Sequence, residues 1–185
     1  MPSIEAAVQW AINIANDETH GYDQANRNGP DYDCSSFVGH ALKLGGGFNV
    51  NGGITTRNMV AALKAVGFKE VTDGTRKRGD VFVKPGSHTV MAINSTQIVH
   101  ASINEKGTTT GGKTGDQTGK EICVRCYYNY SGGWTYQLRY TGSDYDAGDG
   151  DVGDVESEPG FYRPREKKKY NFLLMTAHKR RKGLM

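Results

Sequence analysis

Three side chains of this 185-residue sequence have the types and the order that nucleophilic chemistry needs: Cys34, His88 and His100. A thiol attacks well only after losing its proton, and a helix N-terminus or a neighbouring imidazole favours that loss. Cys34 stands in Asp33-Cys34-Ser35-Ser36-Phe37-Val38, and Phe37, Val38, Ala41 and Leu42 recur behind it at helical spacing. The pattern places the thiol in the first turn of an amphipathic helix, with Asp33 as its N-cap. The histidines follow on strand-like runs, His88-Thr89-Val90-Met91-Ala92-Ile93 and Ile98-Val99-His100-Ala101. A lone cysteine is most often a small buried hydrophobe, and a lone histidine a satisfied core residue. The ordered set of three favours catalysis.

The spacing of the histidines sets a geometric condition. A two-residue turn at Ser95-Thr96 puts Met91 opposite His100 and sends the two imidazoles to opposite faces of the sheet. A three-residue turn over 94–96 puts His100 opposite Val90, on the face that carries His88. A shared site therefore requires the odd-length turn or a bulge.

Other segments complete a pattern. Tyr22 precedes the nucleophile, Gly79-Asp80 leads into a strand, and Gly115-Asp116-Gln117-Thr118-Gly119-Lys120-Glu121 stands before the last strands. Together with Asp33-Cys34-Ser35, His88 and His100, these resemble the NlpC-type, papain-fold peptidoglycan hydrolases, with the closest likeness to phage lysin domains. The resemblance covers roughly residues 1–140. It implies an α+β, papain-like fold with N-terminal helices packed on an antiparallel β-sheet, no cofactor, and peptidoglycan as the partner, with no nucleic acid as substrate. It implies Cys34 as nucleophile, His88 as general base, His100 as the group orienting His88, and Tyr22 near the oxyanion or substrate. Asp33, Ser35, Asp116 and Gln117 are the further candidates for substrate contact. Asp33 is read first as the helix cap, and Asp80 as the residue that fixes a turn. Muramoyl–alanine amidase and stem-peptide endopeptidase chemistry both suit this set. A structural or adaptor virion protein built on a retired hydrolase fold, and an acyl transfer from which water is shut out, are the alternatives.

The elements that must hold these groups follow from periodicity. Helices are expected over 3–16 with Ser3 as N-cap, from Asp33 to the Gly45-Gly46-Gly47 stop, and after Thr55 or Thr56, with Met59, Leu63 and Val66 inward and Gly67 closing. The first 70 residues thus read as helical, and strands are expected over 80–84, 88–94, 97–102, 120–128 and 135–140. The Gly- and Thr-rich stretch 104–119 reads as a groove wall or lid. Tyr127, Tyr128, Tyr130 and Trp134 read as core, with a sugar platform as the alternative. Cys123 and Cys126 lie three apart on a strand and so point to opposite faces, which argues against joint zinc ligation.

Charge divides the chain. Residues 1–140 carry net +2, 141–160 net −7 without a single base, and 161–185 net +8. This reads as a hydrolase domain, an acidic Gly-rich linker and a basic attachment segment. The acids of the linker miss the EF-hand register. The basic segment suits teichoic acid, nucleic acid, a membrane surface or an acidic protein, with phage virion or tail proteins as the docking case. Mean hydropathy is −0.62, no apolar run approaches the roughly 20 residues of a membrane span, and the N-terminus lacks signal-peptide regions. The expected location is a phage virion, or the cell wall after release at host lysis.

Overall fold

Ser3 opens α1 (Ile4–Ala15), its Oγ accepting the Ala6 N–H at 3.2 Å. Ile4, Ala7, Val8 and Ala11 form the buried stripe, the spacing of a helix laid on a core. The helix α2 (Cys34–His40) starts with a reciprocal cap. Asp33 Oδ1 accepts the N–H groups of Ser35 and Ser36 at 2.9 and 2.7 Å, and Ser36 Oγ accepts that of Asp33 at 3.0 Å. A π-helical segment, Ala41–Gly45, continues it. Gly45 is needed there, because a Cβ would stand 2.4 Å from Cβ of Trp10 on α1. Thr55 caps α3 (Thr56–Ala65), with Met59 and Leu63 fully buried.

This computed structural model describes residues 1–142. The rest of the acidic linker and the basic segment 161–185, with the attachment role read for it, lie outside the described residues.

Six strands follow: β1 (Phe68–Glu70), β2 (Val81–Lys84), β3 (His88–Ala92), β4 (Gln97–Ala101), β5 (Ile122–Cys126) and β6 (Tyr136–Tyr140). They form one antiparallel sheet in the order β1-β6-β2-β3-β4-β5. The domain is α+β, with the helices of its first half packed on the sheet. One expectation is corrected: the helical stretch ends at Gly67, and Phe68–Glu70 is an edge strand with Phe68 opposite Tyr140. Three residues are too few to display a period, so only pairing with β6 reveals this strand.

Both faces of the sheet are covered. Val81, Val83, Met91, Val99 and Leu138 pack with the three helices in the main core. Phe82, Val90, Ala92 and Ile98 point the other way, beneath Tyr127, Tyr128 and Trp134. Met91 pairs with Val99 and Ala92 with Ile98, so the β3–β4 turn is the three-residue one over 94–96. Asn94 Oδ1 holds it by accepting the N–H groups of Thr96 and Gln97 at 2.9 and 2.7 Å. His100 accordingly falls opposite Val90 and shares a face with His88.

Two carboxylates tie the long connection between β4 and β5 to the loop before α2. Asp31 Oδ1 accepts the N–H groups of Gly21 and Gly115 at 2.8 and 2.9 Å. The fully buried Glu121 accepts those of Tyr22 and Gln117 at 3.0 and 3.1 Å. The stretch 104–119 is therefore a pinned wall. The two loops approach so closely that a Cβ on Gly21 would meet the Gly115 carbonyl oxygen at 2.1 Å. Gly21→Ala is expected to lower unfolding free energy by about 1–3 kcal/mol, seen as a lower urea midpoint. An unchanged midpoint would show that the loops separate freely.

Candidate active site

The cap of α2 and the start of β3 together position the thiol. Cys34 is 6% exposed, and the backbone N–H groups of Thr89 and Ser35 lie near enough to its Sγ to favour the thiolate. Thr89 follows His88 directly, so the thiol lies against the strand that carries the imidazole. His88 and His100 are both buried, with Nε2 of His88 3.2 Å from Nδ1 of His100 and the rings edge to face. Nε2 of His100 is buried without a hydrogen-bond partner among the described residues. The 3.2 Å contact brings His88 and His100 together, and Cys34 lies against the residue that follows His88.

Tyr22 joins them. Its ring is buried, and its hydroxyl accepts from Gln24 Nε2 at 3.1 Å. Burial, and then the neighbouring Cys34, push its pKa up to about 12, so it remains a proton donor beside the thiol.

The other four predicted residues have their polar atoms engaged within the chain. Asp33 serves the cap and forms an ion pair with Arg27 at 2.8 Å. Ser35 Oγ donates to Asp33 and accepts from Arg27, both at 2.9 Å. Asp116 lies in the wall, where Oδ1 accepts the Thr118 and Gly119 N–H groups and Oδ2 that of Glu121. Gln117 turns its amide back to the carbonyls of Thr114 and Gly115. Asp80 is fully buried and fixes the turn into β2, with Arg139 bonded to both its oxygens at 2.7 Å. Arg27 and Asp31 support these loops without having been singled out in the sequence, and Glu121, named only as the end of a motif, acts through a contact with the distant Tyr22.

Burial sets the electrostatics. A helix N-terminus is expected to lower a thiol pKa, yet burial and then the Asp33 carboxylate push Cys34 up to about 12, against the opposing N–H groups of Thr89 and Ser35. Burial lowers His88 to about 4, with Asp33 opposing. Burial, then His88 and Arg125, lower His100 to about 3. The resting pair is thus a neutral thiol and a neutral imidazole.

These shifts fix the pH dependence of stability. As pH falls below the ordinary histidine value of 6.5, the unfolded chain takes up protons that folded His88 refuses until about pH 4. The folded state then loses up to about 3 kcal/mol on this account. As pH rises above the ordinary thiol value of 9.0, the unfolded chain releases a proton that folded Cys34 keeps until about pH 12. Stability falls again. A plateau between about pH 6.5 and 9 is expected in urea midpoints, and a maximum below pH 5 would contradict it.

Cys123 lies opposite His100 on β5 and Cys126 opposite Gln97, so their side chains leave opposite faces. Among the described residues no group of three or more His, Cys, Asp or Glu is placed to hold a metal ion, and no helix is long and apolar enough to cross a membrane.

The site so described is a buried thiol at a helix start, near the strand that carries one of two hydrogen-bonded histidines. The comparisons give it relatives. Residues 98–147 match the family model of the endolysin-like domain. A lysin of Pneumococcus phage Dp-1 is 32% identical over an alignment 111 residues long, which covers 54% of this chain and 37% of that lysin. The chain therefore spans little more than a third of the length of that relative. A chain in the crystal structure of the type VI native effector–immunity complex Tae3–Tai3 from Ralstonia pickettii is 17% identical, with a TM-score of 0.41 over 75% of this chain and 99% of that one. The resemblance to phage lysins stands as a similarity over part of this chain.

Proposed function

We propose that this chain is a phage-type peptidoglycan hydrolase with a papain-like fold, cleaving an amide by a thiol mechanism. The observation that supports it most is the Cys34 thiol at a helix start near the Thr89 backbone, next along β3 to a His88 whose Nε2 is 3.2 Å from His100.

The roles follow from which atoms are free. Nε2 of His88 is occupied by His100, which leaves Nδ1 to take the Cys34 proton. His88 then carries Nε2–H and donates it to Nδ1 of His100, so the second imidazole fixes the tautomer of the first. Because the resting pair is neutral, the thiol loses its proton as it attacks, and the thiolate never has to persist in a buried site.

The first N–H groups of a helix have no intrahelical acceptor. Those of Ser35 and Ser36 go to Asp33. The Cys34 N–H remains, and with the Tyr22 hydroxyl it can stabilise the oxyanion; loss of one such donor costs about 3 kcal/mol. His88 next protonates the departing amine, and water resolves the thioester to a carboxylate and free Cys34. The basic segment 161–185 is the attachment to wall or virion in this scheme, for a free endolysin and a virion lysin alike.

The test is the wild-type protein on purified Gram-positive peptidoglycan at neutral pH. Progressive loss of turbidity is expected, and walls of every type left intact would contradict the proposal.

A further inference from the structure

Arg27 gathers three separate segments around the start of α2. Its Nε lies 2.8 Å from Asp33 Oδ2. Its Nη2 donates to Asp33 Oδ1 at 3.1 Å, to Ser35 Oγ at 2.9 Å and to the Ile54 carbonyl at 2.6 Å. One guanidinium thus joins the loop that carries Tyr22, the first turn that carries Cys34 and the turn before α3. A flat fork of donors spans a carboxylate, a hydroxyl and a carbonyl at once, where a lysine would reach as a single point charge.

The carboxylate gripped by this fork conflicts with the chemistry beside it. Asp33 caps α2, its Oδ1 holding the Ser35 and Ser36 N–H groups. The nucleophile is the next residue, so a negative charge at the cap opposes the negative charge that grows on Sγ during attack. Asp33 and Arg27 act in opposite directions on two neighbours. The acid pushes the pKa of Cys34 and of Tyr22 up, and the arginine draws both down. The other titratable groups around the thiol are His88 on β3, which Asp33 favours as the cation, and Tyr128 after β5. An unpaired Asp33 would suit the imidazolium and hinder the thiolate. A paired one keeps the cap while its field at Sγ is offset by the adjacent cation.

We propose that Arg27 is a positioning residue for the nucleophile. By holding the Asp33 carboxylate in a charge-neutral pair, it lets the cap that places Cys34 coexist with a sulfur that must turn negative. Arg27 touches no reacting atom in this assignment and acts through Asp33. Its place in catalysis rests on the hydrolase reading above, whereas its effect on the thiol is measured without any substrate.

The experiment follows iodoacetamide alkylation of Cys34 in the full-length protein as pH is varied. Mass spectrometry separates the modified peptide from those of the other free cysteines, Cys123 and Cys126. Below its midpoint a thiol alkylates in proportion to its thiolate fraction, so a shift of about one pH unit changes the rate about tenfold. Arg27→Met is expected to slow Cys34 about tenfold and to leave the exposed Cys126 unchanged. Asp33→Asn, which retains a capping side chain, is expected to speed Cys34 about tenfold. The two changes together are expected to return it to within about threefold of wild type. A clamp that worked by shape alone would be disturbed by either change and more by both. Alkylation that Arg27→Met leaves unchanged, or a double variant as slow as Arg27→Met alone, would therefore overturn the assignment. Should Arg27→Met lose its cooperative urea transition, Asp33→Asn decides alone: acceleration upholds the assignment, and an unchanged or lower rate overturns it. If walls are cleaved while the thiol ignores both changes, only the role of Arg27 falls. If the thiol responds as stated but walls are never cleaved, the hydrolase reading falls and the pairing stands.

Discussion

Cys34→Ala is expected to lower the rate of wall cleavage by about 10⁴-fold or more, without unfolding the chain. The side chain is small and 6% exposed, so its truncation removes one sulfur from the edge of the core and the whole nucleophile from the site. His88→Ala is expected to lower the rate by about 10²–10⁴-fold, because it removes both the base that takes the thiol proton and the acid that releases the amine. His100→Ala acts through His88 and is expected to cost about 10–100-fold, as outer groups that orient a working imidazole do. The pH profile separates these roles. With His88 held near 4 by burial, the acid limb of kcat/KM is expected near pH 4 and moves when His100 is changed. Rates on purified walls, with folding checked by circular dichroism, decide the matter. A Cys34→Ala protein that retains a tenth of wild-type activity would end the thiol mechanism.

The second large effect is on stability. Asp80→Ala is expected to lower unfolding free energy by about 3–5 kcal/mol, the cost of stranding one partner of a buried ion pair. Asp80 is fully buried, and the side chain of Arg139 is 8% exposed. The carboxylate receives two guanidinium bonds at 2.7 Å, the Lys77 N–H at 2.8 Å and the Gln137 amide at 2.8 Å. It thereby joins the turn before β2 to β6, and β2 pairs with the strand that carries His88. Asp73 meets the same arginine from an exposed position, and Asp73→Ala is expected to shift the urea midpoint little. Equal shifts for the two variants would show that burial of Asp80 is not what matters.

Local pattern made the parts of the site visible in the sequence. Ser3 and Asp33 stand immediately before apolar helical spacing, and both are caps. Because strand side chains alternate strictly, the sequence set the condition for His88 and His100 to share a face, an odd-length turn, and the β3–β4 pairing meets it. What sequence could not supply is non-local. The Glu121 carboxylate holds the Tyr22 N–H across ninety-nine residues, and Asp31 binds Gly115 from eighty-four residues away. The state of the thiol is of the same kind: the helix start is local and argues for a low pKa, whereas burial by β3 and its neighbours is tertiary and outweighs it. Asp33 is the expected cap, Asp116 and Gln117 are engaged by close neighbours in their own loop, and Arg27 takes up Asp33 and Ser35 from the preceding loop. The aromatic run 127–134 looked like core because its residue types pack well in sheets, but the turn at Gly132 and Gly133 leaves several of its rings half open.

The central claim, amide hydrolysis, is tested most directly by digesting purified Gram-positive peptidoglycan with the wild-type protein in H₂¹⁸O and weighing the soluble fragments. One ¹⁸O in a newly formed carboxyl group, paired with a new free amine, is the predicted result. Label in a new sugar reducing end, with every amide intact, would contradict it.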